Sequence, residues 1–249
     1  MTDHAFSRTE RLLGQAALQK LWDSRVAVFG VGGVGSFTAE ALARAGVGHL
    51  TLVDADKVCV TNINRQLIAL HSTVGRFKVE VMAERIHDIS PEAEVTVHPI
   101  FYDRETADAI DLRAFDYIAD AIDTVDAKVE LIVGAQQAGT PIISCMGAGN
   151  KLDPMRFEVA DLPRTSVCPL CKVMRRRLKE QGVENLRVVY SREPPVKVAS
   201  GVGSEPDDVA PLLPPRRHAP GSISFVPSVA GLILAGEIVK GLIREECAK

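Results

Sequence analysis

The stretch Arg25-Val-Ala-Val-Phe-Gly30-Val-Gly32-Gly33-Val-Gly35-Ser36 decides the fold. An unbroken apolar run of this length reads as a strand buried on both faces, as in a parallel sheet. Glycines directly behind such a strand let a phosphate approach backbone amides at the positive end of the next helix. Helical spacing from Val34 to Ala45 supplies that helix, and His49 to Asp54 reads as the next strand, ending in acid. Asp54 falls about 20 residues after the glycines, where a carboxylate accepts hydrogen bonds from ribose hydroxyls.

Outward from this unit the alternation continues. Lys78 to Ile89 has helical spacing and Glu94 to Ile100 alternates like a strand. Asp116 to Ala121 and Pro141 to Cys145 read as buried strands separated by a helix from Lys128 to Ala138. Upstream, Arg8 to Leu21 reads as one helix. The fold expected is α/β: a Rossmann-like, doubly wound, mainly parallel sheet with an N-terminal helical extension.

Beyond Lys151 the alternation fades into an irregular, basic, proline-rich C-terminal segment. Pro169 to Gln181 reads as a basic helix and Leu186 to Tyr190 as a strand. Seven of the 14 prolines fall between Pro194 and Pro220, which marks a long loop, mobile or folded over a site. Ser222 to Phe225 is expected to form a closing strand and Val229 to Ile243 a helix. We expect one domain over 1–249, divided into a helical extension (1–24), a nucleotide-binding core (25–160), the basic helix and loop (161–221) and a closing strand and helix (222–249).

With 249 residues, 46% of them apolar, and a net charge of −3, the chain is neither disordered nor a general polyanion binder. The polar start, Met1 to Arg11, lacks the apolar stretch of a secretory signal. Val226 to Ile243 carries Pro227, Glu237 and Lys240, which suits a core-facing helix better than a membrane span. A cytoplasmic protein with no membrane partner is expected. Five cysteines fit reduced thiols better than a disulfide framework.

The glycines and Asp54 suit NAD as well as ATP. Asn62-Ile-Asn64-Arg65-Gln66, Lys78 and Asp120-Ala-Ile-Asp123 are not needed for hydride transfer and suit a triphosphate. Arg65 and Lys78 supply positive charge for phosphates, a carboxylate such as Asp123 at a strand end can hold Mg²⁺, and Asn62 and Gln66 can donate to phosphate or orient the acceptor.

GVGGVGS (Gly30 to Ser36), LVDAD (Leu52 to Asp56), TNINRQ (Thr61 to Gln66), VGRFK (Val74 to Lys78) and DAID (Asp120 to Asp123) resemble the adenylation motifs of the ubiquitin-activating-enzyme-like superfamily, which includes the ThiF, MoeB and HesA proteins. Within it, VCVTNINRQ, KVEVMAERI, TSVCPL and GSISFVPSVAGLILAGEIVK are most similar to the tRNA threonylcarbamoyladenosine dehydratases. The resemblance runs from about Arg8 to Ile243. It implies a site of Gly30, Gly32, Gly33, Gly35, Asp54 on the ribose, Asp56, Arg65 and Lys78 on the phosphates, Asn62 and Gln66 at the reacting end, and Asp123 on Mg²⁺. Arg65, Lys78 and Asp123 would be the catalytic group. It also implies a homodimer in which Arg11, or alternatively Arg8, enters the partner's ATP site. The implied substrate is tRNA carrying threonylcarbamoyladenosine. A monovalent cation near Gly147 and Gly149 and a cysteine-desulfurase sulfur relay stay open.

Cys168-Pro-Leu-Cys171 is a single Cys-x-x-Cys pair, and Cys59, Cys145 and Cys247 add no matching spacing, so a structural zinc is not expected. Pro169 suits a first helical position and puts Cys168 at the cap. Two buried or capping cysteines are the expected reading, with a sulfur-accepting thiol the alternative. Lys172, Arg175, Arg176, Arg177 and Lys179 crowd one helix, and Arg216-Arg217-His218 add charge nearby; a solvated face and a tRNA-backbone contact weigh equally. Two rival functions remain: an adenylyltransferase for a sulfur-carrier or ubiquitin-like protein, and a non-catalytic or NAD-binding module.

Overall fold

A computed structural model describes residues 4–197 and 220–244. Two short helices, α1 (Ser7–Leu13) and α2 (Gln15–Asp23), precede β1 (Arg25–Phe29), α3 (Gly35–Ala45) and β2 (His49–Val53). Then come α4 (Lys78–Ile89), β3 (Glu94–His98), β4 (Tyr117–Asp120), α5 (Val125–Ala138) and β5 (Ile142–Cys145). The chain continues through β6 (Phe157–Asp161), α6 (Pro169–Glu180), β7 (Arg187–Ser191) and α7 (Phe225–Leu242).

The strands form one seven-stranded sheet in the order β3-β2-β1-β4-β5-β7-β6. All neighbours are parallel except β6 with β7. The order runs outward from β1 in both directions, so the connections reverse between β1 and β4. Such a reversal opens a crevice at the carboxyl ends of the strands, where α/β sheets take their ligands. The doubly wound sheet expected from the sequence is present.

Three local expectations fail. The helix expected from Arg8 to Leu21 breaks at Gly14, whose φ of 84° lies in the left-handed region that glycine tolerates. Ser222 to Phe225 does not form a strand: the chain enters α7 at Phe225, and Pro227 occupies the first turn, where its missing N–H costs no helical bond. Within the stretch read as irregular, Phe157–Asp161 forms the antiparallel edge strand.

Helix α7 is long and apolar enough, by length and composition, to cross a membrane. Its Val226, Ala230, Leu234, Ala235 and Ile238 nevertheless lie in the main apolar core. A Cβ at Gly231 would stand 2.3 Å from Val34 O, so a glycine is required for α7 to cross α3 this closely. Thr38 Oγ1 in α3 donates to Gly231 O at 3.1 Å across the same contact. The core-facing reading of this helix holds. Of the proline-rich loop, 198–219 lies outside the described residues, with Arg216, Arg217 and His218; Cys247 does too.

Candidate active site

The glycine loop fits its place only because it lacks side chains. Gly30 has φ 84°, and a Cβ there would lie 2.7 Å from Ala121 O; one on Gly35 would lie 1.7 Å from Gly30 O. The first contact brings the end of β4 against the end of β1, and the second folds the loop onto the start of α3. Gly32 and Gly33 face the Asn62–Gln66 turn instead. A Cβ on Gly33 would be 3.5 Å from Arg65 Cγ, and one on Gly32 would be 3.8 Å from Gln66 Nε2.

Asp54 lies just past β2 and ties the loop down. Its Oδ2 accepts from Val31 N at 2.7 Å and its Oδ1 from Asp56 N at 2.8 Å. Each oxygen keeps one lone pair for a ribose hydroxyl. Burial raises the Asp54 pKa, and the positive charge of Lys78 opposes that rise. Lys78 is the first residue of α4, buried, with Nζ 2.7 Å from Asp56 Oδ2 and 3.8 Å from Asp54 Oδ1. Lys57 pairs backbone with Phe77 across an isolated bridge, and its ammonium stands 4.9 Å from the Phe77 ring centre. These contacts fix the residue before Lys78.

In the 61–66 turn, Arg65 Nη1 donates to Thr61 O at 2.9 Å and to Asn64 Oδ1 at 3.0 Å, which sets the guanidinium and leaves its other donors available. Asn62 Oδ1 accepts from Cys59 N at 3.1 Å, so only its amide NH₂ remains to offer a ligand. Gln66 is buried and its Oε1 has no hydrogen-bond partner. Native interiors seldom leave such an acceptor unpaired, and its position beside Gly32 points to a donor on a bound molecule. Asn64 Nδ2 donates to Ser222 O at 3.0 Å, and Gly33 abuts Pro227, so the entry to α7 borders the same site.

Asp123 is exposed in the β4–α5 loop, two residues past the Ala121 carbonyl that touches Gly30. Sequence reasoning missed what lies beneath it. Asp120 and Lys128 are both fully buried, with Lys128 Nζ 2.7 Å from Asp120 Oδ2 and 3.0 Å from both Ser144 Oγ and Cys145 O. Ser144 Oγ also donates to Asp120 Oδ2, and Asp120 Oδ1 accepts from Ile122 N at 3.1 Å. This network sets the backbone that leads to Asp123. Its one signal in the sequence is a lysine inside the apolar face of Ala127-Lys-Val-Glu-Leu-Ile132.

The structure thus brings together Gly30, Gly32, Gly33, Gly35, Asp54, Asp56, Arg65, Gln66 and Lys78, with Asn62 in the adjoining turn and Asp123 on the neighbouring loop. Arg11 is not among them. It is exposed in the last turn of α1, and Phe6 packs beside Gly46, at the end of α3 remote from the glycine loop. Among the described residues there is no cluster of three or more His, Cys, Asp or Glu side chains able to hold a metal.

The fold is Rossmann-like, and a model of the ThiF family matches residues 6–249; the chain belongs to that family. It is 45% identical over 243 residues to the tRNA threonylcarbamoyladenosine dehydratase of Bacillus subtilis, covering 97% of this chain and 96% of the relative. The crystal structure of the E. coli tRNA N6-threonylcarbamoyladenosine dehydratase TcdA in complex with AMP has a TM-score of 0.86 at 36% identity, covering 98% of this chain and 96% of that one. The TcdA complex with ATP agrees equally well. The molybdopterin-synthase adenylyltransferase of E. coli is 38% identical over 132 residues, 53% of this chain and 51% of that protein.

Proposed function

We propose that this protein is an ATP-dependent tRNA threonylcarbamoyladenosine dehydratase that activates the carboxylate of the modified nucleoside by joining it to AMP. The observation that carries the reading is the convergence of Arg65, Lys78, Asp54 and an unpaired Gln66 oxygen on a glycine loop at the switch point of the sheet. End-to-end similarity to dehydratases, against half-length similarity to an adenylyltransferase, supports the tRNA nucleoside over a carrier protein as substrate.

In this reading Asp54 holds the ribose and the loop amides meet the phosphates. Arg65 and Lys78 stabilise the charge that develops as the α-phosphate is transferred. Lys78 would leave its contact with Asp56 as phosphate oxygens arrive, and Asn62 and Gln66 would orient the reacting end. Mg²⁺, held by Asp123, would supply charge neutralisation between phosphates. The activated carbonyl is then attacked by the nucleoside's own carbamoyl group, AMP leaves, and the ring closes with net loss of water. No protein nucleophile enters.

A monovalent cation near Gly147 and Gly149 would have to be held by backbone or uncharged oxygens. Ring closure consumes no sulfur, so a cysteine-desulfurase relay would meet this protein outside the ring-closing step. The exposed Lys172, Arg176 and Lys179 on α6 are proposed to meet the tRNA backbone, whereas Arg175 turns inward to Thr165 and Arg177 pairs with Asp126. We treat 1–249 as one cytoplasmic adenylating domain. Helix α1 buries none of its residues and leaves Leu12 83% exposed, which supports packing against a second copy with Arg11 directed into the partner's site.

The test is incubation of purified protein with ATP and tRNA bearing the modified nucleoside, followed by mass spectrometry of the nucleosides. Loss of one water that depends on ATP is expected. An unchanged nucleoside, with ATP consumed only when a carrier-protein tail is added, would assign the protein to the rival adenylyltransferase reading.

A further inference from the structure

The turn Asn62-Ile-Asn64-Arg65-Gln66 holds one amide side chain that the reaction above does not use, that of Asn64. Asn64 is exposed, yet both ends of its amide are engaged. Its Oδ1 accepts from Arg65 Nη1 at 3.0 Å, and its Nδ2 donates to Ser222 O at 3.0 Å. A guanidinium can only donate and a carbonyl can only accept, so the two partners fix which way the amide points.

The backbone that Asn64 reaches is itself held from a second side. Gly221 N donates to Asn150 Oδ1 at 2.7 Å, and Asn150 N donates to Gly221 O at 2.7 Å. Asn150 has φ 56°, and a Cβ on Gly149 would lie 2.8 Å from Pro220 Cβ, so the loop that follows β5 is shaped to receive this stretch. From Ser222 the chain enters α7, where Pro227 stands against the glycine loop: a Cβ on Gly33 would lie 3.2 Å from Pro227 Cβ and 3.5 Å from Arg65 Cγ. Arg65 is thus enclosed by a ring of contacts. Its stem faces Gly33, Gly33 faces Pro227, the chain leads back to Ser222, and Asn64 closes the ring onto the guanidinium.

The backbone of the turn has anchors of its own. Arg65 N and Gln66 N donate to Asn62 O at 3.0 and 2.9 Å, and Leu67 N donates to Ser36 Oγ at 3.2 Å. Removing the Asn64 side chain therefore loosens the guanidinium and leaves the turn in place. Arginine is long and rich in rotamers, and holding it before a ligand arrives reduces the entropy lost on binding.

We infer that Asn64 is a positioning residue for Arg65, aiming its guanidinium at the nucleotide phosphates from the fixed backbone of Ser222. The inference rests on the proposed role of Arg65 at the phosphates and adds how that charge is held. Thr61 O accepts from the same Nη1 at 2.9 Å, so without Asn64 the guanidinium keeps one of these two anchors. The effect of Asn64 is confined to the ligand groups that Arg65 meets, the phosphates, and does not extend to adenosine.

The experiment titrates full-length wild type, Asn64→Ala, Arg65→Met and the double variant with ATP by calorimetry, and with adenosine by displacement of ATP. Arg65→Met keeps an apolar stem against Gly33 and removes the guanidinium. Asn64→Ala is expected to raise the ATP dissociation constant roughly 10-fold, the worth of one hydrogen bond to a charged group, and to leave that of adenosine unchanged. In the Arg65→Met background the same substitution is expected to change neither. Unchanged ATP affinity in Asn64→Ala, an equal loss for ATP and adenosine, or the same loss in both backgrounds overturns the inference. The contrast between ATP and adenosine decides in Asn64→Ala alone, so an Arg65→Met protein that fails to fold does not shield it. A wild type that binds no ATP removes both this inference and the proposed function. The expected pattern in a protein that leaves the modified tRNA unchanged contradicts only the proposed substrate and supports the role of Asn64.

Discussion

The ammonium of Lys78 stands 2.7 Å from Asp56 Oδ2 and 3.8 Å from Asp54 Oδ1, so one buried cation faces two carboxylates beside the glycine loop. Lys78→Ala is expected to lower kcat by about 10²–10³, the usual cost of one transition-state donor. It should also change the pH dependence of ATP binding. Burial already raises the Asp54 pKa and Lys78 opposes the rise, so without Lys78 the carboxylate protonates at higher pH. ATP affinity measured by calorimetry should begin to fall at a higher pH in the variant than in the wild type. Superimposable pH profiles would separate Asp54 from the ribose.

The Lys128–Asp120 pair makes a stability prediction. Lys128→Met leaves a fully buried carboxylate without its cation and should cost about 3–5 kcal/mol in denaturant unfolding, as breaking a buried pair does. Adding Asp120→Asn should recover part of that loss, because the uncompensated charge is removed. Additive losses in the double variant would show that the two residues act separately.

Much of this architecture was legible in the sequence, for reasons that particular residues display. Parallel strands buried on both faces, such as Val26–Phe29 and Ile142–Cys145, leave an apolar run bounded by turn residues. The glycine loop and Asp54 follow one spacing rule, and Lys78 and Arg65 stand out once a triphosphate is considered. What was hidden depends on tertiary context. Gly14 breaks an otherwise helical pattern by its φ alone. Phe157-Glu-Val-Ala-Asp161 is a strand because β7 offers it an edge. Ser222–Phe225 stands just ahead of Pro227, which the fold takes into the first turn of α7, so the segment leads into a helix and not a strand. Lys128, named in the sequence only as the start of an expected helix, gains its role when the fold places it against Asp120.

The cysteines should prove dispensable for dehydration. Cys168→Ser combined with Cys171→Ser is expected to retain ATP-dependent turnover, because ring closure needs an activated carboxylate and no thiol. In the wild type, the rate of Cys168 alkylation by iodoacetamide should rise with pH around a midpoint near 6, as its thiolate forms. Cys145, pushed up to about 12 by burial, should stay unmodified at neutral pH. Loss of turnover in a folded double variant would return these thiols to the reaction.

Subunit complementation tests Arg11. Arg11→Ala and Lys78→Ala proteins, each inactive alone, should regain partial activity when mixed under conditions that exchange subunits. One site of every mixed dimer then takes an intact arginine from one chain and an intact lysine from the other, and an arginine fork suits a triphosphate. No recovery despite proven exchange would exclude action across an interface.

The central claim is that the substrate carboxylate is joined to AMP, and the fate of its oxygen tests it most directly. The threonyl carboxylate is labelled with heavy oxygen, the tRNA is turned over with ATP, and the products are separated by mass. Attack on the α-phosphate followed by ring closure predicts one labelled oxygen in AMP and none in inorganic phosphate. Label in inorganic phosphate with ADP as the nucleotide product, or unlabelled AMP from a fully dehydrated nucleoside, would contradict the account.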